Sequence, residues 1–130
     1  MFLIRLVVSL LVIVSIVSGC GSTSSSSAVY VPENERYVGK VYLVMTTVPE
    51  EIGYEVVGHV KANARQGYDR VETLYPLIAE EARKIGANAI INVRGGRTVA
   101  AFSWAAPFVG GTAIKIDDVT KLSKFNGQYH

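Results

Sequence analysis

The chain has 130 residues, 49% of them hydrophobic, with 13 basic and 11 acidic side chains, a length that fits one ordinary domain. Residues 1–19 hold 14 of the hydrophobic residues and one charge, Arg5; the other 111 residues are about 45% hydrophobic, with 12 basic and 11 acidic groups. That near-neutral remainder excludes the clustered basic excess of a nucleic-acid footprint, and a single Cys excludes an internal disulfide framework or a thiolate-rich zinc site.

In chain order, Met1 to Arg5 form a weakly positive start, and Leu6 to Val17 an apolar run broken only by Ser9 and Ser15. Small residues then close it. This is the anatomy of a secretory signal over residues 1–19. The run falls short of the roughly 20 residues a helix needs to cross a bilayer, so cleavage is expected rather than spanning. Cys20 then closes the segment either as a modified residue or, in the alternative, as an incidental small residue at an ordinary signal-peptidase site or in an uncleaved anchor.

Val17-Ser18-Gly19-Cys20 resembles the lipobox of bacterial lipoproteins. The resemblance implies lipid on Cys20, which becomes the first residue of the mature chain, and several acyl chains on one residue hold a protein stably at a membrane. Gly21 and Ser22, with no Asp after the Cys, imply an outer-membrane location facing the periplasm in a Gram-negative source. Residues 20–36, with the polar tract Ser22 to Ser27, are expected to be a flexible tether. About 16 residues of such chain would reach roughly 20–24 Å.

From Tyr37 the pattern changes to β-branched and aromatic runs punctuated by Gly and Pro. Val38 to Val48 is expected as a strand stopped by Pro49, Glu50 and Glu51. Tyr54 to Ala64 is expected as a second strand, with Val56, Gly58, Val60 and Ala62 on one face and Glu55, His59, Lys61 and Asn63 on the other. Leu74, Leu77, Ile78, Ala82 and Ile85 recur at helical spacing, with Glu80, Glu81, Arg83 and Lys84 assigned to the outer side and Glu80–Lys84 as an i,i+4 pair. The N-cap is placed near Thr73, after a turn at Asp69 to Glu72, because Pro76 is harmless only in the first turn; Gly86 is the C′ residue. Ala87 to Arg94 reads as a strand, Gly95-Gly96 as a tight turn and Arg97 to Trp104 as the partner strand. Thr112 to Ile116 follows as a last strand, and residues 118–130 as a loosely held polar tail. The expected fold is a small α+β domain over 37–117, β-β-α-β-β(-β), with a mostly antiparallel sheet and one helix on one face.

The stretch Leu77 to Val93, LIAEEARKIGANAIINV, followed by Gly111-Thr112-Ala113-Ile114 and preceded by Gly53 to Val60, resembles the YbjQ-type domain and the related arrangement in lipoproteins of the Rcs stress-sensor type. The resemblance covers roughly residues 38–116. Disulfide-dependent sensing does not transfer, because the mature chain has no Cys beyond Cys20. The heavy-metal label attached to some YbjQ-type domains finds little support either, with His59 and His130 the only imidazoles and no His-x-x-x-His or Cys pair.

His59 reads as a solvated strand residue, with a ligand role as its alternative. Asp117-Asp118 and Glu50-Glu51 are adjacent strand terminators, not carboxylates facing each other across a cleft. Arg94-Gly95-Gly96-Arg97 reads as a hairpin turn with flanking charges, not as an RNA-binding element. No nucleophile elbow, phosphate loop or dinucleotide fingerprint is present, so no enzyme and no cofactor are expected. Thr98 to Ile114 carries no charge, but Pro107, Gly110 and Gly111 argue against a membrane-spanning helix. Two alternatives stand: a strand pair buried under the helix, with Val99 and Ala101 in the core, or a hairpin whose Phe102, Trp104 and Phe108 form an exposed contact site. The leading functional expectation is a non-enzymatic, lipid-anchored envelope protein acting in binding, assembly or stress signalling, with the membrane and a protein partner or second copy as partners. The alternative is a small-ligand or metal-binding module using His59.

Overall fold

The computed structural model describes residues 3–4, 22–64, 70–100 and 103–130, and the side chains of all of these except 98–100 and 103–105. Among the described residues, six strands form one sheet: β1 (Ser22–Ser26), β2 (Tyr42–Val44), β3 (Glu55–Ala64), β4 (Ala89–Ala100), β5 (Ser103–Lys115) and β6 (Gly127–Tyr129). The sheet order is β1-β3-β5-β4-β2-β6, antiparallel except between β2 and β4. Among the described residues, the helix α1 (Tyr75–Lys84) lies on one face of the sheet. The fold is the α+β class expected, with a mostly antiparallel sheet.

Alternation along each strand divides the apolar residues between two faces. On the helix side, Val41, Leu43, Val60, Ala62, Ile90, Val93, Val109 and Ala113 pack with Leu74, Ile78, Ala82 and Ile85 of the helical segment. On the other side, Tyr42, Val44, Ala89, Ile91, Ile114 and Ile116 form a second core closed by Leu122 and flanked by Ile52, Val119 and Phe125. Farther along β3 and β5 this second face carries His59, Lys61, Asn63 and Thr112, with Phe108 opposite Asn63.

The helix ends as expected. Gly86 takes φ 85°, its N–H reaches the Arg83 carbonyl and the N–H of Ala87 reaches that of Ala82, a Schellman motif that satisfies two orphan carbonyls. Its start differs. A 3-10 turn over Val71–Leu74 precedes it, Leu74 occupies the N-cap without a side-chain bond, and Thr73 donates instead to the Arg70 carbonyl at 2.7 Å. Pro76 still falls in the first turn, where its missing N–H costs nothing.

Four further expectations are corrected. The first strand shrinks from 38–48 to Tyr42–Val44; Val38 is exposed, and the backbone at Gly39 is held by Arg83, whose Nε donates to the Gly39 carbonyl at 2.7 Å. In β3 the register slips between Val56 and Gly58, a bulge that turns Val57 to the core and leaves Val56 exposed. Gly95 and Gly96 do not turn the chain: they lie within β4 opposite Val109 and Phe108, and the hairpin continues to the pair Ala100–Ser103. Glycine is needed there for space, because a Cβ at Gly95 would collide with Val71 and one at Gly96 would press on the Phe108 ring at 3.2 Å.

The fourth correction concerns both flanks of the domain. Residues 22–26, expected within a free tether, pair with β3. Residues 118–130, expected as a loose tail, form a 3-10 turn over Val119–Phe125 and the edge strand β6, which pairs with β2. Leu122 is fully buried, and Val41 and His130 exchange backbone bonds of 2.8 and 2.9 Å. Polar composition hid both strands because edge strands need only backbone pairing and one face of contact.

Candidate functional site

The polar half of the second face is built from β1, β3, β5 and β4 in register. One row runs Ser25, Lys61, Gly110, Arg94, and a second brings His59 beside Thr112. Gly110 has no side chain, so Lys61 and Arg94 stand on either side of a bare patch, about 10 Å apart by strand spacing. His59 is exposed; its Nδ1 lies 3.3 Å from Thr112 Oγ1, its backbone N–H donates to Ser27 Oγ at 2.8 Å, and the Ser27 N–H donates to the His59 carbonyl at 2.8 Å. Ser25, Ser26, Ser27, His59, Val60 and Lys61 line a shallow groove of about 310 Å³ at this edge. The donor set is hydroxyls, an imidazole and a lysine. Such a set suits an anion or a polar ligand better than a divalent cation, which Lys61 would repel. Among the described residues no three His, Cys, Asp or Glu side chains converge.

On the helix side lies a buried carboxylate that sequence reasoning placed in solvent. Glu81 is 2% exposed. Ser24 Oγ donates to its Oε1 at 2.7 Å, the Tyr30 hydroxyl donates to its Oε2 at 2.7 Å, and Lys84 Nζ stands 3.9 Å away. The hydrogen bond to Glu81, aided by desolvation, raises the Tyr30 pKa above its ordinary value. Buried charge is tolerated only when so bonded, and here the donors come from the tract read as a tether. The signal was present: 74, 78, 81 and 85 form one stripe at helical spacing. The expected Glu80–Lys84 pair is replaced by Glu80–Arg83 at 3.2 Å and Glu81–Lys84.

The remaining candidates are dispersed. Asp118 caps the 3-10 turn through the Thr120 N–H at 3.0 Å, Asp117 pairs with Lys121 at 3.1 Å, and Glu50 and Glu51 sit in a short 3-10 turn after Pro49. The His130 ring packs edge-on against Tyr75 with its Nε2 buried and unbonded; burial first, then the positive charges of Arg83 and Lys40, lower its pKa. Cys20, Ala101 and Phe102 lie outside the described residues, as do the side chains of Val99 and Trp104. Phe108 is 38% exposed, opposite Asn63 and above Gly96.

Compared with models of protein families, with curated proteins and with solved structures, the chain gives no match in any of the three.

Proposed function

We propose that the protein is a non-enzymatic, lipid-anchored component of the bacterial cell envelope, whose α+β domain binds partners close to the membrane through its polar sheet face and the β4–β5 hairpin. The observation that carries this reading is the start of β1 at Ser22, two residues after Cys20 of the lipobox. A lipid on Cys20 would be joined to the sheet edge almost directly, so the domain works at the membrane and not on a long leash. The YbjQ-type resemblance supports the same placement among small envelope lipoproteins, and outer-membrane sorting follows from Gly21 and Ser22 if the source is Gram-negative.

Subcellular fractionation of the Cys20→Ser variant tests the anchor. The reading expects loss from the membrane fraction; a variant that stays with membranes after signal processing contradicts it. A second reading, a small-ligand module, is favoured by the groove at His59. It takes an anionic or polar ligand there, and titration calorimetry with phosphate and with divalent metals separates the two chemistries. Submillimolar metal binding lost in His59→Ala would support a metal module over the binding role proposed first.

A further inference from the structure

On the face of the sheet turned away from α1, the register sets Thr23 of β1 beside Asn63 of β3, Asn63 beside Phe108 of β5, and Phe108 beside Gly96 of β4. This row runs next to the one that holds Lys61, Gly110 and Arg94. Gly96 leaves room that the Phe108 ring takes up. The Cε1–Cζ edge lies 3.2–3.3 Å from where a Cβ would stand, so the ring reclines over the β4 backbone. Even so, 38% of Phe108 is exposed. A large apolar ring held at the surface among polar neighbours marks a contact.

Gly110 follows Phe108 by two residues, about 7 Å along β5. Lys61 and Arg94 flank it, both exposed, and among the described residues neither has an ion-pair partner. No acidic residue stands in these two rows or at His59 and Thr112 beside them. Two unpaired cations with no carboxylate between them favour an anion. The neutral positions narrow its chemistry. The Asn63 amide both donates and accepts, as do the hydroxyls of Thr23, Ser25 and Thr112, which matches a ligand rich in hydroxyl groups. The negative face of an aromatic ring attracts C–H groups such as those of a sugar ring. The face is also open, and the groove beside Lys61 is shallow, whereas small-molecule sites enclose most of their ligand. An open face gains affinity from several weak contacts along one chain.

We infer that this face is a docking surface for an anionic polysaccharide. One sugar ring stacks on Phe108, Asn63 bonds its hydroxyls, and acidic groups along the chain pair with Lys61 and Arg94. The inference rests on the polar sheet face being the binding surface, and not on the Cys20 lipid.

Fluorescence anisotropy of end-labelled oligogalacturonate with the purified full-length protein tests it, beside a neutral maltooligosaccharide of equal length and polyglutamate and oligothymidylate of matched charge. Oligogalacturonate is expected to bind about tenfold more tightly than each of the three. Lys61→Gln and Arg94→Gln should each weaken it several-fold and flatten its salt dependence. Phe108→Ala should weaken oligogalacturonate about tenfold, leave polyglutamate within about twofold, and be rescued by Phe108→Tyr, at unchanged circular dichroism. Absence of binding, equal affinity for polyglutamate or oligothymidylate, or an indifferent Phe108→Ala overturns the polysaccharide. Amide shifts in nitrogen-15 NMR separate the two claims. Shifts around Lys61, Arg94 and Phe108 with every polyanion alike reject the sugar and keep the face as a binding surface, while shifts confined to other residues overturn both.

Discussion

Ser24→Ala removes one hydroxyl from the edge strand and, on the present account, should cost far more than an exposed serine does. The Oγ donates at 2.7 Å to a carboxylate that is 2% exposed. Hydrogen bonds to charged groups contribute about 1.5–3 kcal/mol, and water cannot freely replace a donor on a buried acceptor. Tyr30 and Lys84 remain beside Glu81, so a loss of about 2 kcal/mol is expected, or a melting temperature lower by about 10 °C in a domain of this size. Glu81→Leu, which replaces the buried charge with an apolar side chain of similar bulk, should cost less than Ser24→Ala, since both the carboxylate and its need for donors disappear. Urea unfolding of the two single variants and the double variant, followed by circular dichroism, gives the coupling energy directly. A Ser24→Ala protein within about 0.5 kcal/mol of the parent, or the same cost of Ser24→Ala in the Glu81→Leu background, would refute the claim that the serine tract is part of the fold.

Three other outcomes follow from the same packing. Leu122→Ala should lose about 2–5 kcal/mol in urea unfolding, since Leu122 is fully buried in the second core; an unchanged midpoint would mean residues 118–130 contribute no packing. Gly95→Ala should lose about 1–3 kcal/mol, because its Cβ would meet Val71 and the Phe108 carbonyl, whereas a mere turn glycine would not involve Val71. The lowered pKa of His130 means the unfolded chain binds the proton more tightly. Its stabilising contribution is complete above the unfolded value near 6.5 and is lost as pH falls below it toward the folded value. Thermal melts between neutral and mildly acidic pH should show this fall, and His130→Gln should flatten it.

The helix and β3 were legible because burial there writes a period into the sequence: Leu74, Ile78, Ala82 and Ile85 at helical spacing, Val60 and Ala62 at alternate positions. The two edge strands were not. Ser22–Ser26 and Gly127–Tyr129 are held by backbone ladders and a few side-chain bonds, which leave little hydrophobic trace. Gly95-Gly96 misled for a related reason, since a glycine pair between apolar runs looks the same whether it turns the chain or makes room for Val71 and Phe108. At the candidate site, the polar side of His59, Lys61 and Asn63 was visible from alternation. Their neighbours Ser25, Thr112 and Arg94 come from strands whose register only the fold supplies. Glu81 was readable and misread, its place in the apolar stripe being overridden by its charge.

The proposed lipid on Cys20 is the central claim, since it would set β1 beside the membrane, and intact-mass spectrometry of the mature N-terminus tests it most directly. The expected product is a chain that begins at Cys20 with diacylglycerol on its sulfur and an acylated or free amine. A mature protein that begins elsewhere, or retains an unmodified Cys20, would contradict it.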